Sequence, residues 1–571
     1  MTAPGLLLCL AVFAGLVFGG GLALVATAPL RADEKLCAGA AAALVALYLA
    51  AGGIYLAGWP PAACLALPAA AAVLGFARRR AIGRVLRDPA ARGLFGGWLL
   101  AAGWFLGCAL LVRNYSGLGS GTTGDWMEHY ERARFFLAHA PLDSVFIWQY
   151  PLPARPPLPG LVTGVLLALT GDSYPYFQVF AVLENSLVLL PALLLARRLA
   201  PAPFPRLPGI LLLNPLVVHN AVYPWTKLFA AFFVLAGLLA FIRGEETRSG
   251  AATAAAAAGL AAGLLTHYSA GPYIVVLAAA WAWRRRRDWL RVRHWGRLAL
   301  PAAAGGALFG TWLAWSVLHF GWGSTLAANT AVAGVRGQPP AAVLAAKASN
   351  LFCTLVPHPF RGVLDALVLP HSPVVVLRDY AFALYQTNLW FALGSVGGPL
   401  VAWLLWRRWR ASPPGGPGLP RAFWVWFVGG SALLGIAVNG DADPWGLVHI
   451  CLQPLVVFGL ALLAASWADL SRQLRRILVA GLAVDFVLGV ALHLYVEHLD
   501  RPFALWLVDG GRSLGAADGP CLASNVLTKH LTGCTLLGDG PLGPPAAVAG
   551  ALALLGAAAL LAARRPAPLI A

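Results

Sequence analysis

The sequence predicts an all-α, polytopic integral membrane protein with about 13–15 transmembrane helices and interfacial helices in a large first extracytoplasmic loop. Mean hydropathy is +0.73 and only 11% of the 571 residues are charged, whereas soluble domains carry about 25%. Apolar runs of roughly 17–25 residues recur along the chain, and each could cross a hydrocarbon core about 30 Å thick. The runs do not alternate with period two, which disfavours a transmembrane β-barrel.

The apolar runs define the predicted elements in chain order. Predicted spans lie near residues 5–28, 37–57, 60–77, 95–112, 174–196, 207–223, 226–242, 251–266, 268–283, 299–319, 386–406, 422–439, 447–466, 477–496 and 546–563. No basic segment precedes the apolar core of the first run, so we expect a retained helix and not a cleaved signal peptide.

Arginine-rich loops orient these spans. If loop 78–94 is inside, the runs at 284–287, 407–410, 472–476 and 564–565 all fall inside as well, as the positive-inside rule requires. The net charge of +18 is then explained without a nucleic-acid partner. The N-terminus is predicted outside and the C-terminus inside. The Ala/Gly/Arg bias suggests a bacterial source, so we expect an inner (plasma) membrane protein whose site faces the periplasm or exterior.

The longest loops all fall on the outer side in this topology. They are 113–173, 320–385 and 497–545. Within the first, ERARFFLAHA reads as an amphipathic interfacial helix, and residues 158–171 are apolar but too short to cross, which predicts an interfacial or re-entrant helix. Cys521 and Cys534 share the third loop, where a disulfide and two free thiols are equally consistent.

A polar island, SGTTGDWMEHYERARFF, occupies residues 120–136 of the first outer loop. Asp125 and Glu128 are its candidate catalytic carboxylates, because a fixed carboxylate can deprotonate an acceptor hydroxyl. Trp126, His129 and Tyr130 are candidate substrate contacts. A helix-capping or turn aspartate at a membrane surface is an equally good interpretation of Asp125.

Candidate cationic and imidazole groups occur at other outer edges. Arg155 precedes the apolar 158–171 segment, Lys227 opens a span in YPWTK, His267 lies in LTHYSAGP, and His449 follows GDADPWGLV. A snorkelling anchor, a turn residue and a helix–helix hydrogen bond are the structural alternatives for the last three. Together these groups could hold a lipid phosphate through charge-assisted hydrogen bonds.

Further candidates have less specific patterns. Tyr268 and Arg378 are candidate substrate contacts, although Arg378 next to Asp379 is equally consistent with a structural ion pair. Glu184 and Asp485 lie within predicted spans, where acids are either functional or bonded to a neighbouring helix. No metal-ligand or nucleotide-binding motif occurs in the sequence, so we expect no cofactor, although a divalent metal is compatible with the pattern.

The order of these motifs resembles the GT-C superfamily, polytopic glycosyltransferases that use a polyprenyl-phosphate sugar donor. It is similar to that of the protein O-mannosyltransferases and the lipid A aminoarabinose transferases. GDWMEHYERARFFL, then RPPL at 155–158, GDSYPYFQVF with a span ending in ARRL, and LTHYSAGP carry the likeness over about 110–285. The resemblance implies that Asp125 is the catalytic base and that Arg155 and His267 lie near the donor phosphate.

The resemblance also implies a division of the chain: extra N-terminal helices at 1–94, a catalytic module at 95–319, an outer region at 320–385 and C-terminal helices at 386–571. Three spans precede the one before the Asp125 loop, where relatives usually have one. Thr226 and Lys227 stand where some relatives have an acid, so Glu128 could substitute or Lys227 could bind phosphate. His267 replaces a more usual lysine, which predicts pH-sensitive phosphate binding.

These observations predict a cell-envelope glycosyltransferase of hexosyl or pentosyl type. It would move a sugar, with inversion, from a polyprenyl-phosphate carrier to a hydroxyl of a lipid, glycan or protein. The alternatives are a multi-spanning transporter and a flippase or ligase for lipid-linked glycans. Transporters usually contain internal repeats, and none is recognisable here. Long segments on one face only also favour chemistry at that face.

Overall fold

The structure is a computed structural model that describes residues 3–111, 125–147, 150–199, 207–289, 291, 295–328, 337–362, 373–411, 419–440 and 442–498. For a few of these, Asp125, Trp126 and Met127 among them, the backbone is described and the side chain is not. The Cys521–Cys534 pair and the predicted span at 546–563 lie outside the described residues.

The described chain is almost entirely helical. The first helices are α1 (Ala3–Phe13), α2 (Gly21–Val25), α3 (Ala32–Leu56), α4 (Ala66–Ala77), α5 (Arg79–Arg87), α6 (Pro89–Leu111), α7 (Asp125–Ala138) and α8 (Leu158–Thr170). The central helices are α9 (Tyr174–Ser186), α10 (Leu189–Leu199), α11 (Leu207–Leu212), α12 (Pro215–Val222), α13 (Lys227–Thr247), α14 (Gly250–Thr266), α15 (Gly271–Arg284) and α16 (Trp295–Ala327). The last are α17 (Pro340–Leu355), α18 (Pro373–Thr387), α19 (Gly397–Ala411), α20 (Arg421–Val425), α21 (Ser431–Val438), α22 (Gln453–Ala465) and α23 (Arg472–His498).

Short elements complete the chain. A two-stranded antiparallel hairpin pairs β1 (Val145–Phe146) with β2 (Tyr150–Pro151). The π-helical segments are Ala14–Gly20, Trp426–Gly430 and Val448–Leu452. The 3₁₀ turns are Pro61–Leu65, Leu152–Ala154, Tyr268–Ala270, His358–Arg361, Phe391–Leu393 and Trp467–Asp469.

The predicted fold class is confirmed, because the molecule is an all-α protein with several spans. Within the described ranges, seven helices are long and apolar enough to cross a membrane, or eight if the pair Pro61–Ala77 and Arg79–Arg87, bent by 81°, is one span. The seven are Pro4–Val25, Ala32–Leu56, Tyr174–Leu199, Lys227–Thr247, Leu298–Ala327, Val448–Ala465 and Arg472–Tyr495. Some of the other predicted spans are shorter helices, such as Gly250–Thr266.

Two predicted spans are interrupted. The run at 207–223 divides into α11 and α12, where Pro215 opens the second helix and the Asn214 side chain caps it by accepting from the Val217 N–H. The run at 386–406 breaks before α19, where Gly394 has a φ of +86° that favours glycine. Proline and glycine therefore set the helix ends here, although hydropathy continues through both.

Helices α13 and α14 form a tight antiparallel hairpin. Ser249 starts α14, because its side chain accepts from the Ala252 N–H at 3.2 Å. The two helices approach closely at small residues: a Cβ on Gly244 would lie 2.6 Å from Thr253 Oγ1, and one on Gly237 would lie 3.0 Å from Leu260. Close contact at small residues is the usual way for membrane helices to pack. The hairpin therefore places the start of α13 beside the end of α14.

Ion pairs join the ends of helices α3, α10 and α13 at the other end of that hairpin. Arg197 Nη1 lies 2.6 Å from Asp33 Oδ2, and Arg243 Nη1 lies 2.7 Å from Glu34 Oε2. Loops that the positive-inside rule places on one face therefore do meet. We call this end of the bundle the arginine-rich end, and the opposite end, which carries α7 and the start of α13, the site end.

Helices α7 and α8 form a second close pair at the site end. A Cβ on Gly160 would lie 3.3 Å from the carbonyl of Arg132, and one on Gly164 would lie 3.4 Å from the carbonyl of Ala133. The apolar 158–171 segment is a 13-residue helix, and Leu158 to Leu167 are all buried. This packing holds the polar side chains of α7 against the segment that precedes α8.

Candidate active site

The polar island forms the first turns of α7, which begins at Asp125. The side chains of Asp125 and Trp126 lie outside the described part of the chain, so the candidate base is placed by its backbone only. From Glu128 onward the side chains are described. Glu128, His129 and Arg132 are all buried.

Glu128 joins two arginines from different segments. Arg132 lies one helical turn away, with its Nη2 2.8 Å from Glu128 Oε1, and Arg155 Nε lies 3.4 Å from Glu128 Oε2. Burial raises the pKa of Glu128, but the charges of Arg132 and Arg155 outweigh burial and hold the pKa below 4.5. Both oxygens are engaged by guanidinium groups, so Glu128 is arranged as a counter-ion and not as an open base.

Arg132 also fastens the β-hairpin to α7. Its Nη1 donates to the carbonyl of Leu152 at 2.8 Å, its Nη2 donates to that of Pro151 at 3.2 Å, and its guanidinium lies 4.3 Å from the centre of the Phe146 ring. Arg155 follows this segment, with its guanidinium 4.5 Å from the centre of the Tyr150 ring. Arg132 is not among the residues predicted from the sequence; its spacing of four residues from Glu128 on a helix was the available signal.

His129, Arg155, Lys227 and His267 share one electrostatic neighbourhood. Burial lowers the pKa of His129 to about 4; Glu128 opposes this shift, while Arg155, Arg132 and Lys227 add to it. Burial, followed by the charges of Lys227 and Arg155, holds the pKa of His267 well below 6.5. Lys227 begins α13 and His267 follows α14, so the tight hairpin explains why they are close.

The imidazole of His267 has a defined orientation. Its Nδ1 accepts from the Ser269 backbone N–H at 3.1 Å and lies 2.9 Å from Ser269 Oγ. Since Nδ1 accepts, the proton of the neutral ring is on Nε2. Because its pKa lies well below 6.5, His267 is a neutral hydrogen-bond donor at pH 7, and pH-sensitive phosphate binding stays a prediction.

Lys227 lies among aromatic and unpaired polar groups. Its Nζ is 4.2 Å from the centre of the Trp225 ring, and the His449 ring centre is 5.9 Å from that of Trp225. Within the described part of the chain, Thr226 Oγ1 and His449 Nδ1 are buried and have no hydrogen-bond partner. Such groups usually find a partner, and here a ligand could supply it.

Asp443 is close enough to Lys227 for the lysine charge to act on its carboxyl group. Its Oδ1 accepts from the Trp445 N–H at 2.8 Å, and its own N–H donates to Asn350 at 2.7 Å. Burial raises the pKa of Asp443, and the charges of Arg361 and Lys227 partly oppose that shift. The neighbouring Asp441 falls outside the described residues.

The remaining predicted contacts are engaged within the protein. Tyr130 donates its hydroxyl proton to Asp172 at 2.9 Å. Tyr268 donates to the carbonyl of Pro153 at 3.2 Å and lies near Arg132 and Arg155, whose charges act on it. Arg378 is buried on α18, where its Nη2 lies 2.6 Å from Asp379 Oδ1.

The two acids within spans differ in how fully they are bonded. Asp485 accepts from the Tyr385 hydroxyl and the Ser395 N–H, both at 2.8 Å, and from the Ser395 hydroxyl at 3.2 Å. Glu184 is buried and accepts from Thr163 Oγ1 at 3.0 Å. The hydrogen bonds of Asp485 to Ser395 therefore stabilise the break in the chain before α19.

The site offers positive charge and hydrogen-bond donors, and among the described residues no group of three His, Cys, Asp or Glu side chains is arranged to hold a metal ion. Arg132, Arg155 and Lys227 face the carboxyls of Glu128 and Asp443. This arrangement suits an anion such as a phosphate group, which a cation and neutral hydrogen-bond donors can bind together.

Comparisons with known proteins add no residue assignments. No protein-family model and no curated protein matches the chain. Two solved structures are similar at 15% identity, both of ArnT from Cupriavidus metallidurans. The one bound to undecaprenyl phosphate has a TM-score of 0.45 over 80% of this chain and 75% of that chain. The apo form has a TM-score of 0.33 over 71% and 79%, respectively.

Proposed function

We propose that this protein is a membrane glycosyltransferase that moves a sugar from a polyprenyl-phosphate carrier to an acceptor hydroxyl at the extracytoplasmic face of the membrane. One observation carries the proposal. Arg155, Lys227 and His267 come from three separate segments, yet they gather around His129 at one end of an all-helical membrane bundle.

The charge of this cluster suits the leaving group. A lipid-linked sugar phosphodiester has one negative charge, and the lipid phosphate that it releases gains a second as the sugar departs. Groups that bind the developing charge more strongly than the starting charge lower the barrier. Arg155 and Lys227 supply positive charge, and the Nε2–H of neutral His267 supplies a donor without an added charge.

The proposed step balances as a single displacement. The acceptor hydroxyl oxygen attacks the anomeric carbon, and its proton passes to the carboxylate of Asp125. The bond between the anomeric carbon and the phosphate oxygen breaks, and its electron pair remains on the phosphate. Attack from the opposite side inverts the anomeric centre. The transition state resembles an oxocarbenium ion, as in other glycosyl chemistry. No cofactor is required.

Glu128 has a different role from Asp125 in this proposal. Its two ion pairs and its lowered pKa make it a weak proton acceptor. It is a positioning residue that fixes the Arg155 guanidinium. Asp125 begins α7, about one turn before Glu128. The proposed base is therefore on the helix to which Arg155 is bound through Glu128.

The test of the base is Asp125→Asn in isolated membranes that contain native acceptors and a polyprenyl-phosphate-linked sugar. We expect normal protein levels and loss of transfer by about 10²–10⁴-fold, the range that general base catalysis contributes. The matched variant is Asp143→Asn, which changes an exposed acid of the same outer segment. Transfer near the wild-type rate in Asp125→Asn would remove Asp125 from the role of base.

A further inference from the structure

Helix α5 carries arginines that have no carboxylate partner. Arg79, Arg80, Arg84 and Arg87 are all exposed, and within the described ranges none of their guanidinium groups belongs to an ion pair. Other arginines of the arginine-rich end are paired with acids, namely Arg197, Arg198, Arg243, Arg284 and Arg285. The positive charge of α5 is therefore left unbalanced by the described part of the chain.

Three of these arginines share one face of α5. Arg80, Arg84 and Arg87 are four and three positions apart, a spacing that places side chains on the same side of a helix. Val85 points to the other side and is buried, and α5 contacts α2, α3 and α6. The cationic face of α5 is therefore directed away from the bundle.

Helix α5 lies at the arginine-rich end. Arg78, just before α5, donates to the carbonyl of Leu24 at 3.2 Å, close to the last residue of α2. After α5 the chain enters α6, where a Cβ on Gly93 would lie 3.9 Å from Arg197 Nη2. The three arginines of the cationic face are thus at the end of the bundle opposite Arg155.

The direction of α5 is that of a helix lying on a membrane surface. Helix α4 packs along the first span, where a Cβ on Gly20 would lie 3.4 Å from Ala71 Cβ, and the chain then bends by 81° into α5. Phe76 and Leu86, on either side of the bend, are 69% and 50% exposed. A short helix with a cationic face and neighbouring exposed apolar side chains suits the boundary between headgroups and hydrocarbon.

We propose that the cationic face of α5 binds the phosphodiester headgroups of anionic phospholipids such as phosphatidylglycerol. The planar guanidinium fork matches the oxygens of a phosphate, and unpaired arginines next to a negatively charged membrane surface attract its lipids. Phe76 and Leu86 would then contact the first carbons of the acyl chains. The proposal is independent of sugar transfer, because α5 is remote from the groups proposed to act in that reaction.

The test measures lipid binding to the purified protein in detergent, by native mass spectrometry during titration with phosphatidylglycerol or with zwitterionic phosphatidylcholine. We expect phosphatidylglycerol to bind the wild type about tenfold more tightly, because several arginines act on its charge. The preference should weaken as salt is added, since exposed charges are screened. Equal binding of the two lipids by the wild type would overturn the proposal.

The variant is the triple substitution Arg80→Gln, Arg84→Gln and Arg87→Gln, which should abolish the preference for phosphatidylglycerol. The corresponding triple substitution to Lys should keep most of it, because the charges remain. The matched control changes Arg410, Arg472 and Arg476 to Gln, which removes three charges from exposed arginines that the positive-inside rule places on the same side. Thermal unfolding of each variant in detergent monitors the fold.

The controls separate a site on α5 from simpler explanations. An equal loss of preference in the control triple would show that net charge alone attracts the lipid, and an equal loss in the Lys and Gln triples would show a structural role for the arginines. Either result would overturn the proposal, as would a wild-type preference in a folded Gln triple. Displacement of phosphatidylglycerol by millimolar inorganic phosphate would assign the site to free phosphate and not to a lipid.

Discussion

The two ends of the bundle both contain arginine–carboxylate pairs, but they balance charge differently. At the arginine-rich end Asp33, Glu34, Glu245 and Glu246 each pair with arginine. At the site end Glu128 is shared by Arg132 and Arg155, and the charge of Lys227 acts on both His129 and Asp443. In the first arrangement each carboxylate pairs with arginine, whereas in the second one carboxylate is shared by two arginines.

The difference in burial supports the same conclusion. Arg198 and Glu246 have side chains that are 29% and 38% exposed, so water screens their pairing. Glu128 and Arg132 are 2% and 4% exposed, and buried charges require close partners to offset lost hydration. Partly exposed pairs join helix ends at low cost, while the buried Glu128 holds the guanidinium groups of Arg132 and Arg155 in place.

The largest expected effect is on transfer. Arg155→Gln and Lys227→Gln should each reduce transfer from a polyprenyl-phosphate sugar by about 10²–10³-fold, the usual cost of losing one group that stabilises developing charge. Arg155→Lys should recover part of the loss, because it keeps the charge but not the planar fork. Arg198→Gln at the arginine-rich end should retain activity within about twofold. Equal losses at both ends would contradict the proposed difference.

The next effect is on stability. Glu128→Gln leaves two guanidinium groups without their counter-ion, so we expect a loss of about 3–5 kcal/mol in the free energy of unfolding. Glu246→Gln removes a partly exposed pair and should cost less than about 1 kcal/mol. Denaturant titration of both variants in the same detergent compares them. If the two losses were alike, Glu128 would be an ordinary surface partner.

The smallest effect concerns pH. His129 has a pKa of about 4 in the folded protein against an ordinary 6.5, so between these values the unfolded chain binds a proton that the folded chain does not. Stability is therefore full above pH 6.5 and falls by roughly 3 kcal/mol as pH drops to 4. Unfolding of His129→Gln across pH 4–8 should have a shallower slope than unfolding of the wild type. An unchanged slope in His129→Gln would place that pH dependence elsewhere.

Much of this arrangement was accessible from the sequence. Hydropathy predicts the spans, and arginine placement predicts which loops meet. Lys227 begins α13 and His267 follows α14, and a short turn joins the two helices. Because the two helices are antiparallel, the start of the first and the end of the second lie at the same end of the bundle. The shared neighbourhood of these residues follows from helix direction alone, and it does not by itself assign their roles.

Other features depend on contacts that hydropathy does not record. Asp485 stabilises the break before α19 by accepting a hydrogen bond from the Ser395 N–H, and the two residues are 90 positions apart in the sequence. The ion pair between Arg155 and Glu128 forms because α7 and α8 pack closely at Gly160 and Gly164. That packing exists only once the two helices have come together.

The most direct test is turnover by the purified wild-type protein in detergent, where no gradient across a membrane can drive transport. Polyprenyl-phosphate-linked sugars would be supplied with a cell-envelope extract as the source of acceptors, and free polyprenyl phosphate would be measured. We predict release that matches the amount of sugar transferred and that disappears in Arg155→Gln. Binding of the donor without any release, combined with movement of the lipid in reconstituted vesicles, would contradict the transferase and indicate a flippase.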